Sequence, residues 1–296
     1  LIKELIASQL VVEESADHFA FRHALTREAV YASLLRRERK RLHRQIAETM
    51  ARLHAHSIDR HLSALAYHAF EGELWQETLD YSLRAGEQAQ MLYAPRETIE
   101  HFTRAIEVSR YLEQGPLIAP IRARGKAYEM VGEAEKALND YEQTLTLAKQ
   151  AGDGSSEWQA LIDLGSYWAA HDYAATGKYF QDALSLARTL DQPYLVAHSL
   201  NRVGNWYANV EQPAIALGYH ENALAGFRTL NATRALAETY DLLGMTYQLN
   251  SDLLNSYRSY QRALEIWTEL QERSGLASTL ASLPLCTPSY FKNLDI

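Results

Sequence analysis

Apolar and polar positions alternate at helical spacing through the middle of this chain, most plainly over residues 200–227, LNRVGNWYANVEQPAIALGYHENALAGF. Leu200, Val203, Gly204 and Tyr207 recur at i, i+3, i+4 and i+7. After a turn at Glu211, Gln212 and Pro213, Ala216, His220, Ala223 and Leu224 form a second apolar face. The spacing predicts two helices packed face to face, with Gly204 and the alanines admitting the large side chains opposite. Pro213 suits the first turn of the second helix, where a missing N–H costs nothing.

The same unit recurs. Taking Gly204 as the mark, Gly125, Gly165 and Gly244 are its equivalents, at steps of 40, 39 and 40 residues. A large residue stands four before each glycine (Ile121, Leu161, Leu200, Tyr240) and an aromatic three after (Tyr128, Trp168, Tyr207, Tyr247). In the second helix a ring recurs at Tyr141, Phe180, His220 and Tyr260, followed by a small residue and a leucine. So many columns in phase make this an internal repeat.

The repeat resembles the tetratricopeptide repeat (TPR), whose usual period is about 34 residues. The residues that carry the likeness are Val203, Gly204 and Tyr207, Leu243, Gly244 and Tyr247, and the second-helix sets Ala216, His220, Ala223 and Ser256, Tyr260, Ala263. The longer period, His220 at a ring position and Arg124 before Gly125 depart from the pattern. The resemblance implies an all-α, right-handed α–α superhelix, a solenoid of four repeats over 112–282, preceded by degenerate repeat helices over 57–111. Proline at 284, where a small residue is due, interrupts the next first helix, so 283–296 is expected to be an irregular tail.

The first 56 residues read differently. A helix end, strand-like runs at 10–14 and 19–23, and helices over about 26–35 and 38–53 predict a winged-helix remnant. Ala29, Val30, Ser33 and Leu34 are expected to form the buried face of the first of those helices. Phe21, Arg22, His23, Leu42 and His43 resemble the segment that follows the nucleotide-binding domain in STAND-type regulatory ATPases, such as maltose-regulator-like, cyclase-linked or kinase-linked proteins. The resemblance implies an upstream ATPase as an intramolecular partner. No G-x-x-x-x-G-K-[ST] occurs in this chain, so ATP is expected only in such an upstream domain and no cofactor here.

Composition narrows the classes. Only 7 prolines and 14 glycines in 296 residues favour helix throughout. Residues 1–60 carry 11 Lys and Arg against 8 Asp and Glu, the remainder 18 against 29, so the acidic array is a poor nucleic-acid binder. One cysteine, Cys286, allows no internal disulfide and fits a cytoplasmic setting. No apolar run is long enough to cross a membrane. The basic cluster Arg36, Arg37, Arg39, Lys40, Arg41 and Arg44 reads as a solvated helix face. Eleven histidines show no H-E-x-x-H and no G-x-S-x-G is present, so neither a metal site nor an enzyme is expected.

In TPR arrays the inner groove is lined by first helices, at −3, +1 and +4 from the glycine. Carried onto this chain, that places Arg122, Lys126, Ser166, Asn201, Asn205, Asp241 and Gln248 in a groove for a protein or peptide partner, with Asn209 completing an asparagine ladder. The function expected is protein interaction and signal sensing as an arm of a multidomain STAND-type regulator. The alternative is a stand-alone TPR adaptor without a nucleotide switch.

Overall fold

The structure, a computed structural model, describes residues 2–15, 18–113 and 115–286. It divides into two compact units, Leu1–Ala137 and Leu138–Ile296.

The first unit opens with α1 (Ile2–Ala7), β1 (Val11–Ser15), β2 (His18–Phe21), α2 (Ala24–Ser33) and α3 (Arg36–Leu53). The two strands pair antiparallel, Val11 opposite Phe21 and Glu13 opposite Phe19, with an irregularity before Ser15. The order of helix, hairpin and two helices is the one the sequence pattern predicts. The expected buried face of α2 is not buried, however: Ala29, Val30 and Ser33 are exposed and Leu34 is half-buried. Among the described residues, α2 meets β2 and a few side chains of α3 and α4, too little to cover a helix face.

What ties α2 down is polar. Tyr31 Oη lies 3.1 Å from His43 Nε2, and His43 Nδ1 lies 2.8 Å from His68 Nδ1 on α4 (Leu62–Glu71). Hydroxyl to ring to ring, this chain joins three helices around a buried His43. Burial pushes both histidines below their ordinary range.

The basic cluster on α3 is not simply solvated. Lys40 and Arg36 pair with Glu73, and Arg44 donates to the Gly72 carbonyl at 3.2 Å. Arg39 stands over the Tyr31 ring at 5.0 Å. Four of the six cations thus clamp the turn after α4 or the tyrosine of α2, which the charge run alone does not show.

α5 (Trp75–Met91) and α6 (Pro95–Ser109) follow as a packed pair, then α7 (Ile118–Met130). On α4, Leu62, Leu65, Ala66 and Ala69 are buried. A Cβ on Gly86 would come within 2.5 Å of the Phe102 ring. Gly86 stands 39 residues before Gly125 and Phe102 stands 39 before Tyr141, so the repeat register reaches back into residues 57–111. That unit escapes the sequence pattern because Ser82 and Ala89 occupy the columns where the later repeats carry large residues.

α8 (Ala134–Ala151) runs across the division between units. The second unit continues as α9 (Gly154–Trp168), α10 (Tyr173–Thr189), α11 (Pro193–Asn209), α12 (Pro213–Thr229), α13 (Thr233–Leu249), α14 (Leu253–Glu269) and α15 (Arg273–Ser282). Each helix packs on the next, and α11 also meets α13 and α13 meets α15. The glycine and ring columns are the contacts that close the pairs: Gly165 sits under Phe180, Gly204 under His220 and Gly244 under Tyr260. A Cβ on Gly204 or Gly244 would fall 2.7 Å from the facing ring, so only glycine allows that approach. Pro95, Pro193 and Pro213 each open a helix. α15 ends at Ser282 and a 3-10 turn, Leu283–Cys286, takes over at the proline. The rest of the expected tail lies outside the described residues.

No helix of the described residues is long and apolar enough to cross a membrane.

Candidate functional site

The first helices α9, α11 and α13 of the second unit carry six of the eight residues expected to line a groove. Two of the expected groove residues turn out to link repeats. Asn201 on α11 is buried, 7 % exposed, and its Nδ2 donates to Thr239 Oγ1 on α13 at 2.8 Å. Its Oδ1 lies 3.2 Å from His220 Nδ1 on α12. One repeat on, Asp241 accepts from Thr279 Oγ1 of α15 at 2.6 Å and from Trp267 Nε1 at 2.9 Å. In both cases the residue three before the glycine column bonds a hydroxyl 38 residues later, on the next first helix. Asn201 therefore has its amide engaged at both ends, and the asparagine ladder begins in earnest at Asn205.

Asn205 is half-buried and Asn209 exposed on α11. Ser166 on α9 is exposed and donates back to the Ile162 carbonyl at 2.9 Å. Gln248 on α13 is half-buried. In the first unit, Arg122 and Lys126 are half-buried on α7, and Lys126 lines a cavity of about 460 Å³ with Met91, Tyr93, Pro95 and Met130.

Sequence reasoning did not single out His198 and Arg202. Both line a cavity of about 360 Å³ in the second unit, walled by α11, α13, α15 and the rings of Phe227 and Trp267, with Asn201, Asp241 and Glu238 on its wall. Arg202 Nε and His198 Nδ1 are buried without a hydrogen-bond partner among the described residues. Burial lowers the Arg202 pKa from its ordinary value, against the pull of Glu238, yet a guanidinium keeps its proton. His198 is pushed down to about 4, first by burial and then by the Arg202 charge beside it. It is neutral near pH 7. Glu238 pairs with Arg234 at 3.2 Å, and Arg234 also holds Glu272 at 3.0 Å. Burial raises the Asp241 carboxyl, while its two donors partly offset this.

Among the described residues no group of three or more His, Cys, Asp or Glu is placed to hold a metal ion. The cavity's polar atoms can hold hydrogen-bonding or charged groups of a bound chain.

No protein-family model matches the sequence, and no curated protein matches it. Solved structures do. Aspartyl phosphate phosphatase F from Bacillus subtilis matches at a TM-score of 0.63 and 15% identity, over 92% of this chain and 68% of that one. A signal transduction ATPase with numerous domains (STAND) that carries a tetratricopeptide repeat sensor, from Pyrococcus horikoshii, matches at 0.62 and 13%, over 99% of this chain and 55% of that one. A Rap protein complexed with competence and sporulation factor matches at 0.59 and 13%, over 85% of each. The fold is a TPR-like all-α solenoid. At these identities the TPR-like likeness extends to the fold alone.

Proposed function

We propose that this TPR-like array binds a protein or peptide partner along the first-helix face of its repeats, as the sensing arm of a larger regulator. The observation that carries the reading is the polar character of that face in the second unit. Asn205 and Asn209 stand on α11, the helix whose His198, Asn201 and Arg202 line a cavity, with unpartnered buried atoms at Arg202 Nε and His198 Nδ1 among the described residues. A solenoid offers such a surface along its length instead of one deep pocket. The Rap protein among its structural neighbours is one that holds a factor in complex.

The regulator we favour is STAND-type. The match to the archaeal STAND protein extends over 99% of this chain, the helix–hairpin–helix start included, and spans 55% of that protein. In this reading an ATPase precedes the present sequence in the gene and partner binding to the repeats releases it. The other reading, a free-standing adaptor, differs only in lacking that domain.

Sequencing the gene upstream of Leu1 and capturing peptides from a displayed library on the 296-residue chain test the two halves of the proposal separately. An upstream P-loop with ATP-dependent oligomerisation of the whole gene product is the expected outcome, and its absence leaves the adaptor. Asn205→Ala is expected to weaken captured peptides several-fold without changing the melting temperature. Capture that survives Asn205→Ala and Gln248→Ala together would remove the groove.

A further inference from the structure

Two imidazole rings face one another in the first unit. His43 on α3 and His68 on α4 bring their Nδ1 atoms to 2.8 Å, with ring centroids 4.9 Å apart. At that distance one nitrogen must donate and the other accept, so a single hydrogen lies between them. The run continues to α2: Tyr31 Oη stands 3.1 Å from His43 Nε2, Tyr67 hydrogen-bonds Tyr31, and Arg39 lies over the Tyr31 ring. With both histidines neutral, every contact in the run holds one proton.

Added charge upsets this balance. A first extra proton still leaves one hydrogen between the two Nδ1 atoms, the charged ring donating to the neutral one. A second sets N–H against N–H, two like charges with no acceptor for either. The titratable and charged groups around the pair are Tyr31 of α2, Arg39 of α3, and Tyr67 and Glu71 of α4, with Arg104 of α6 acting on Tyr67. Burial is the largest influence on each ring and opposes its charging; Arg39 adds to this at His43, and Glu71 pulls the other way at both. What hangs on the pair is α2. Ala29, Val30 and Ser33 are exposed, so no apolar face fixes that helix, and Tyr31 is its hydrogen-bonded link to α3 and α4 among the described residues.

We propose that the facing His43 and His68 rings form an acid-sensitive latch, closed while both are neutral, that ties α2 to α3 and α4 through Tyr31 and releases it as the pH falls. The latch stands whether or not the repeats bind a partner. A released pair takes up protons more readily than a latched one, so the latch is fully closed above about pH 6.5 and weakens below it. Its opening constant rises by up to about tenfold per pH unit for each proton taken up.

Hydrogen exchange of the 296-residue chain at about pH 7.5 and 5.5, on either side of the ordinary histidine value and corrected for the pH dependence of amide chemistry, tests this. α2 is expected to lose protection at the lower pH while α5 and α6 keep theirs. His198 and His220, held down to about 4, stay neutral at both. His68→Gln, at a half-buried position, keeps a hydrogen-bonding group without the charge and should flatten the acid response of α2. Tyr31→Phe should open α2 at the higher pH already. His101→Gln, at a buried histidine of α6 that bonds Ser63 outside this run, should leave the response as it is. Equal protection of α2 at the two pH values overturns the latch. So does an acid response that persists in His68→Gln, one that vanishes in His101→Gln, or an α2 still protected in Tyr31→Phe. Long-range nitrogen-15 NMR of the histidine rings gives a reading free of substitutions. His43 and His68 should titrate as a coupled pair, below the ordinary histidine range and together with the loss of α2 protection; two independent titrations at ordinary values overturn the proposal as well.

Discussion

At the scale of single residues, His220 shows how one side chain couples packing to pH. It occupies the ring column over Gly204, fully buried. The Asn201 oxygen facing Nδ1 can only accept, so the neutral ring carries its proton there. Nε2 is buried without a partner, and protonating it would put an unsatisfied charge in the core. Burial accordingly pushes the pKa down to about 4. Because this lies below the unfolded value, the unfolded chain binds the extra proton first. Stability is full above about pH 6.5 and falls as pH drops towards 4, by roughly 3 kcal/mol for this group. His220→Phe should flatten that part of a urea-melt pH series, and an unchanged slope would contradict the assignment. The glycine and ring columns were legible because both members of each contact lie within one repeat. The brace from Asn201 to Thr239 was not, because a helical wheel assigns Asn201 to the groove and its acceptor lies 38 residues away, beyond any local period. A double-mutant cycle of Asn201→Ala with Thr239→Val should give a coupling of about 1 kcal/mol. Additive losses would mean the two side chains do not act together. Arg202 escaped notice for a related reason: two residues before the glycine column, an arginine looks solvated until its buried surroundings are seen.

At the scale of elements, the helices were written in their spacing and Pro213 marked the turn at Glu211, but the left-handed residues that close the turns were not legible. Glu73, Tyr93, Glu113, Asp191, Glu211, Asn231, Ser251 and Gln271 all have positive φ, as do Gly132 and Gly152, so a left-handed residue recurs about every 20 positions. At Asn231 the chain closes with Asn231 N–H to the Arg228 carbonyl and Ala232 N–H to the Phe227 carbonyl, at 3.2 and 3.1 Å. That pair of bonds is the Schellman ending, which needs the left-handed residue. Glutamate and glutamine give no turn signal in a sequence; tight closure of one helix onto the next imposes the geometry instead. Glu211 is exposed with φ 59°. Glu211→Gly should therefore stabilise the second unit by about 0.5–1 kcal/mol, with relief of the left-handed penalty set against the entropy of glycine. The converse change, Gly152→Ala at φ 67°, should cost about 1 kcal/mol. Chemical unfolding of both variants checks the pair, and shifts of the same sign would refute the argument.

At the scale of the molecule, the second unit has the thermodynamics of a linear array. Its helices meet their neighbours and next first helices, so stability is a sum of repeat terms and interface terms that can fail locally. Phe227 is the sharpest place to test this. It is 1 % exposed on α12, its ring meets Tyr194 on α11 with centroids 5.5 Å apart, and it belongs to the same buried cluster as Ala235 on α13. Removing it opens a void at the joint between two repeats, at a cost of about 3–5 kcal/mol. In a globular domain that loss would lower every region together. In an array it should uncouple what lies beyond the joint. Phe227→Ala is therefore expected to turn one denaturation step into two. Hydrogen exchange should speed first in α13–α15, which loses its neighbour on one side, while α9 and α10 keep their protection. Uniform loss of protection through residues 138–286 would show a single cooperative core instead.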